Sequence, residues 1–179
     1  MNAAQCEFAA GNEEIFIVPA KTETAIHLIC GDVGPFDAGV QATVPLWLAM
    51  LMKEKQECTI VPPEWISVEQ LKKLLINETE SDGLSILPKY FFEIAHILVR
   101  DAKDDLFEVD QVKSLVQDIY DKRDAKLRTS VKAFLSQSDT CHAKLDGLQS
   151  LEAATNRATL DACKQMFVIV RNRNDATPK

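Results

Sequence analysis

At 179 residues, with 46% hydrophobic and 26% charged side chains, the chain has the composition of a globular protein and the length for one large domain or one domain with a small appendage. Its formal net charge of -7, from 20 basic and 27 acidic side chains, opposes contact with a phosphate backbone unless a local basic patch provides it. The five cysteines, Cys6, Cys30, Cys58, Cys141 and Cys163, are odd in number and irregular in spacing; they offer no disulfide framework or metal-ligand pair and read as reduced thiols of an intracellular protein.

The first residues, Met1 to Gln5, have neither the basic region nor the apolar core of a secretory signal. The longest apolar run, Leu46 to Met52, falls far short of the roughly 18 residues of a spanning helix, so no membrane association is expected. Glu14 to Val18 and Ala25 to Cys30 are short β-branched runs separated by a polar loop, which predicts a strand pair. Gly31 to Phe36 follows as a turn, because glycine permits positive φ and Pro35 fixes the next bend. Gly39 to Val44 is expected to be extended again, completing a small β module.

Pro45 suits the first position of a helix, where its missing N–H costs nothing. Leu46 to Met52 is apolar on every face, so its first two turns are expected to be enclosed by this chain or another. Cys58 to Val61 reads as a strand that rejoins the β module before Pro62 and Pro63. Ser67 and Gln70 have capping-box spacing, and Val68, Leu71, Leu74 and Leu75 recur at helical period to about Thr79. Pro88 is expected to open a helix with Tyr90, Phe91, Ile94, Ile97 and Leu98 on one face. The longest helix is expected to span Glu108 to Leu135, its stripe running through Val109, Val112, Val116, Ile119, Tyr120, Leu127, Val131 and Phe134. Arg123 falls on that stripe rather than opposite it, which suggests an ion pair at an interface. Ser150 to Arg171 reads as a last helical region.

Each residue set that could carry chemistry has a plainer reading. Gly31 to Gly34 is followed by no Gly-Lys-Ser/Thr and leads into no helix, so it is a turn and not a phosphate cradle. Cys141 and His142 are the only conceivable nucleophile and base, but sequence neighbours point apart and no acid is placed to orient them. His27 and His96 lack a second ligand at metal spacing. Trp47 and Trp65 read as core, although tryptophan is also enriched at interfaces. Lys122, Arg123, Lys126, Arg128 and Lys132 form either a solvated face or an intersubunit ion-pair surface. A small cysteine-dependent enzyme and a weak nucleic-acid-binding module therefore stand as alternatives to a scaffold protein.

Three ordered landmarks resemble the subunit-2 family of the GINS complex: Gly31-Asp32-Val33-Gly34-Pro35-Phe36, Val44-Pro45-Leu46-Trp47-Leu48-Ala49 and Pro62-Pro63-Glu64-Trp65. The likeness continues through Asp121, Arg123, Ala125-Lys126-Leu127-Arg128 and Ser130, then Ala143-Lys144-Leu145-Asp146 and Leu148. Gly147 stands where asparagine is expected, a change expected to loosen the connector into the last helix. The resemblance implies an α+β, mainly α fold, in which a small β-rich domain (residues 1–61) precedes a helical bundle of about five helices (62–171) and a flexible tail (172–179). It further implies a non-catalytic subunit without metal or cofactor, assembled with three sister subunits. That heterotetramer joins the MCM helicase ring and a Cdc-family cofactor in the nucleus, touching DNA only indirectly or weakly. Arg123, Lys126, Leu127, Arg128 and Phe134 are the candidate subunit-interface residues. Pro45, Leu46, Trp47, Pro62, Pro63 and Trp65 are the candidate domain junction.

Overall fold

The computed structural model describes residues 2–29, 31–136, 147–157, 161, 162 and 165. An eight-residue helix opens the chain, α1 (Ala3–Ala10). Asn2 caps it in a reciprocal box with Gln5, each side chain bonding the other's backbone N–H at 2.9 Å. Sequence reasoning passed over this helix because its apolar residues are mostly alanine; the Asn2/Gln5 spacing was the available signal.

The N-terminal sheet is antiparallel, with β1 (Glu14–Pro19) in the centre between β4 (Ala42–Pro45) and β5 (Cys58–Val61). Ile15 faces Val44, and Ile17 faces Ala42 on one side and Ile60 on the other. Alternation along β1 buries Ile15, Ile17 and Pro19 on one face while Phe16 stays half exposed, the period-2 pattern of a one-sided sheet. The expected pairing of the first two strands does not form. β2 (Ile26–Leu28) instead makes its own hairpin with β3 (Gly31–Val33), so part of the segment read as a turn is strand. The register places His27 opposite Asp32, whose Oδ1 lies 2.8 Å from the imidazole Nδ1 on an exposed surface.

Pro45 ends β4 and occupies the cap position, one residue before α2 (Leu46–Glu54) rather than within it. The helix is held at its start by backbone bonds from Leu46 N–H to the Glu13 carbonyl (2.8 Å) and from Trp47 N–H to the Gly11 carbonyl (2.9 Å). Leu46, Leu48, Ala49 and Met52 are buried, but Trp47 and Leu51, one turn apart, are 39% and 44% exposed. The chain encloses one side of this helix only, and the expectation of all-round burial fails within it.

The helical region is built from α3 (Val68–Glu80), α4 (Phe91–Asp101), α5 (Val109–Ser136) and α6 (Ser150–Thr155). Ser67 stands at the cap position of α3 without a side-chain cap bond. α4 begins three residues after Pro88, since Tyr90 adopts a left-handed conformation (φ 53°) that puts a turn before the helix. α5 packs against α3 and α4, and α1 crosses to pack on α4 and α6, so the chain's first helix straps the sheet module to the bundle. The core is continuous across both parts, from Ile17 and Leu46 through Phe91 and Leu98 to Ile119. No helix among the described residues is long and apolar enough to cross a membrane.

Candidate functional site

Arg123 organises the most highly charged region of the interior. It lies on the buried stripe of α5 with no solvent exposure, and all five guanidinium N–H donors are used inside this chain. Nε and Nη2 grip Glu152 of α6 in a two-pronged pair, 2.6 Å to Oε1 and 2.9 Å to Oε2. Nη1 donates to Glu78 Oε2 of α3 (3.1 Å) and to the Ser85 carbonyl (2.9 Å), and Nη2 also donates to the Gly147 carbonyl (2.7 Å). One side chain thereby fixes α3, the loop after it, the approach to α6 and α6 itself onto α5. The expectation that Arg123 pairs with a sister subunit is corrected, because nothing of it reaches the surface.

Lys126, one turn further along α5, completes the charge balance. Its Nζ donates to Glu78 Oε1 and to the Gly83 carbonyl, both at 2.9 Å. Two cations thus face two carboxylates, which a low-dielectric interior requires of buried ions. Burial by itself would raise the Glu78 pKa; hydrogen bonds from Ser85 and Lys126, with the field of Arg123, outweigh it and hold the carboxyl below its ordinary value. Burial likewise opposes the charge on Arg123, but Glu152 and Glu78 more than restore it and its pKa is raised. Glu152 doubles as the third helical residue of α6, where Oε2 accepts the Gln149 N–H at 2.9 Å in a capping box.

Gly147 adopts φ +80°, a left-handed conformation that glycine takes freely and asparagine tolerates better than other residues. A β-carbon there would come within 3.1 Å of the Leu84 carbonyl oxygen. The absence of a β-carbon lets the backbone pass close to Leu84, and the Gly147 carbonyl accepts from Arg123.

The other candidate residues separate. Leu127 is buried in the bundle. Arg128 is exposed and pairs with Asp124 at i–4, Nε to Oδ2 2.7 Å. Phe134 lies on α5 with its side chain outside the described residues, as do Cys141 and His142 entirely. The two buried cysteines with described surroundings are unsuited to nucleophilic chemistry: burial pushes the Cys58 thiol up to about 11, and burial followed by the Glu93 charge raises Cys6. Among the described residues no group of His, Cys, Asp or Glu could hold a metal ion.

The junction residues are brought together in part. Leu46, Pro63 and Trp65 line one crevice with Glu13, Pro88, Lys89 and Ile94, and Lys89 closes it with an ion pair to Glu13. Trp65 stacks at a tilt on Phe91 (4.8 Å between centroids), the first contact of an aromatic series through Phe92 to Tyr120. Pro45 and Pro62 are half-buried, whereas Trp47 points away to the surface. A second tie was not foreseen. Asp105, in the turn after α4, accepts the Ile60 N–H on the free edge of β5 (Oδ2, 2.8 Å) and pairs with Lys53 of α2 (Oδ1, 2.7 Å).

Glu78 was within reach of sequence reasoning, because it falls seven residues after Leu71 on the apolar face of α3. Glu152 and Asp105 carried no such signal, for each acts through a partner distant in sequence.

Residues 2–61 match the family model described as PSF2 N-terminal domain, and residues 65–167 match that of the GINS complex protein helical bundle domain. The chain belongs to the PSF2 family of GINS complex proteins. A probable DNA replication complex GINS protein PSF2 from Caenorhabditis elegans is 58% identical over 99% of both chains. The Brugia malayi protein of the same description is 46% identical over 89% of this chain and 84% of its own. The DNA replication complex GINS protein PSF2 of Homo sapiens is 38% identical over 96% and 94%. PSF2 membership makes this a structural, non-catalytic subunit in DNA replication, with other GINS subunits as its partners.

Proposed function

We propose that this PSF2-family chain is a scaffold that joins three sister subunits in a heterotetramer, and that the tetramer associates with the MCM ring and a Cdc-family cofactor in the nucleus to form the active replicative helicase. Its contact with DNA is indirect or weak, in keeping with a net charge of -7.

The observation that carries this reading is the outer face of α2, where Trp47 and Leu51 stand exposed on a helix whose other side is core. Large apolar side chains paired on one face are costly in a monomer and serve as anchors when a partner covers them. Phe8, 79% exposed, belongs to the helix that precedes them, and Gly11, the cap residue of α1, lies against Trp47. On α5, Arg128 and the outward side of the helix around Lys126 form a second surface for a sister subunit, organised from within by Arg123.

Co-expression with the three sister subunits tests the reading. The chain is expected to elute with them in equal proportion, and to be poorly behaved when expressed alone. A cooperative monomer that ignores the sisters in pull-down contradicts the proposal.

A further inference from the structure

A groove of about 540 Å³ runs between α4 and α5, on a part of the bundle that the ion-pair hub does not use. Its floor is apolar, with Val99, Val116 and half-buried Tyr120, and its rim carries His96, Arg100, Lys103 and Lys113. No carboxylate among the described residues lines it, whereas three further concavities are each lined by Asp or Glu. Arg100 is engaged by Asp101 and Glu7; Lys103 and Lys113 have no ion-pair partner among the described residues. In a chain of net charge -7, the unbalanced positive charge that Lys103 and Lys113 give this rim is a local inversion of the overall field.

The described part of α6 leads away from the groove. Leu151 lines it, and by Asn156 the chain lies beside Asp124, a turn further along α5 from Tyr120 and opposite in direction to Lys113. The lining on α4 extends from Phe92 to Arg100, which at 1.5 Å per residue is a length of about 12 Å, room for about two turns of a docked helix.

We propose that this groove receives an amphipathic helix of a partner protein, with apolar residues at helical spacing laid on the Val99–Tyr120 floor and acidic residues flanking them toward Lys103 and Lys113. Helix-in-groove docking uses this combination of apolar floor and complementary rim. Single-stranded nucleic acid fits less well, because its bases need open aromatic faces for stacking, and here Phe92 is 4% exposed and packed edge-on against Tyr120.

The test is a fluorescence anisotropy titration of a labelled 15-residue Leu/Glu amphipathic helix, and of its Leu/Lys counterpart, into the full chain alone and in the assembly with its sister subunits. The Glu peptide is expected to bind both preparations, to lose about tenfold in affinity with Lys103→Glu/Lys113→Glu, and to weaken as salt rises. The Lys peptide is expected to bind only that variant. Both lysines are exposed, so the substitutions leave the core intact. Failure of the Glu peptide to bind, indifference to charge reversal, or preference for a labelled single-stranded oligonucleotide overturns the proposal. Binding to the chain alone that vanishes in the assembly gives the groove to a sister subunit and overturns it equally, while leaving the scaffold reading intact.

Discussion

Arg123 and Glu152 meet through two parallel bonds of 2.6 and 2.9 Å, and the same carboxylate caps the helix to which it belongs. Packing and capping are therefore one event: α6 is started and docked by a single side chain. Replacing Arg123 with alanine leaves Glu152 buried without its counter-ion and Glu78 with Lys126 alone, a loss of about 3–5 kcal/mol. Urea unfolding should show it as a lower midpoint. Arg123→Met combined with Glu152→Gln should cost less than Arg123→Ala, because Glu78 keeps Lys126 and no buried charge is stranded.

Glu93 behaves in the opposite way to Glu78. It is buried in α4 and neither of its oxygens has a hydrogen-bond partner among the described residues. Burial raises its pKa, the backbone amides of Glu93 and Leu151 offset part of this without reaching bonding geometry, and Glu152 adds to the rise. A carboxyl with a raised folded pKa takes up protons on folding, so its favourable contribution is present below the ordinary value of 4.5 and is lost as pH climbs through the folded value. Glu78, with a depressed pKa, contributes above that ordinary value and loses its contribution as pH falls through the folded one. Glu93→Gln should therefore gain stability relative to the parent as pH rises from about 4.5, in urea titrations between acid and neutral pH. Parallel profiles for the two proteins contradict the assignment.

Asp105 covers the edge of the sheet that would otherwise present an unpaired Ile60 amide, a device that also discourages edge pairing. Asp105→Ala strands that amide and Lys53 together, which should cost about 1–3 kcal/mol. Hydrogen exchange at Ile60 reports the change locally, and faster exchange there with little effect at Ile119 is the expected pattern.

At Gly147 a β-carbon is opposed both by the left-handed backbone and by the Leu84 carbonyl. Gly147→Ala should destabilise by about 1–2 kcal/mol from the conformation alone. Gly147→Asn should be milder, and thermal unfolding of the two variants compares them directly.

The parts of this fold legible in the sequence are those with local causes. Helical period placed α3 and α5 within a residue or two of their observed ends, and the Pro45/Leu46 and Val61/Pro62 boundaries follow from proline chemistry. Arg123 stood out because it broke an apolar stripe, but a broken stripe does not say whether the partner belongs to the same chain. That depends on Glu78 and Glu152, which are 45 and 29 residues away. Strand pairing was misread for a related reason: Glu14–Pro19 and Ile26–Leu28 are neighbours in sequence, yet the central strand pairs with segments that close the core beneath α2. The exposure of Trp47 was beyond composition altogether, since an apolar helix looks the same whether its cover lies in this chain or in a neighbour.

The claim that α2 is an assembly surface is tested most directly by hydroxyl-radical footprinting of Trp47 and Leu51 in the isolated chain and in the complex with its sister subunits. Both side chains should be oxidised in the chain alone and protected on assembly, while exposed Ile29 on the β2–β3 hairpin serves as an internal reference. Equal oxidation of Trp47 and Leu51 in both states would contradict the account.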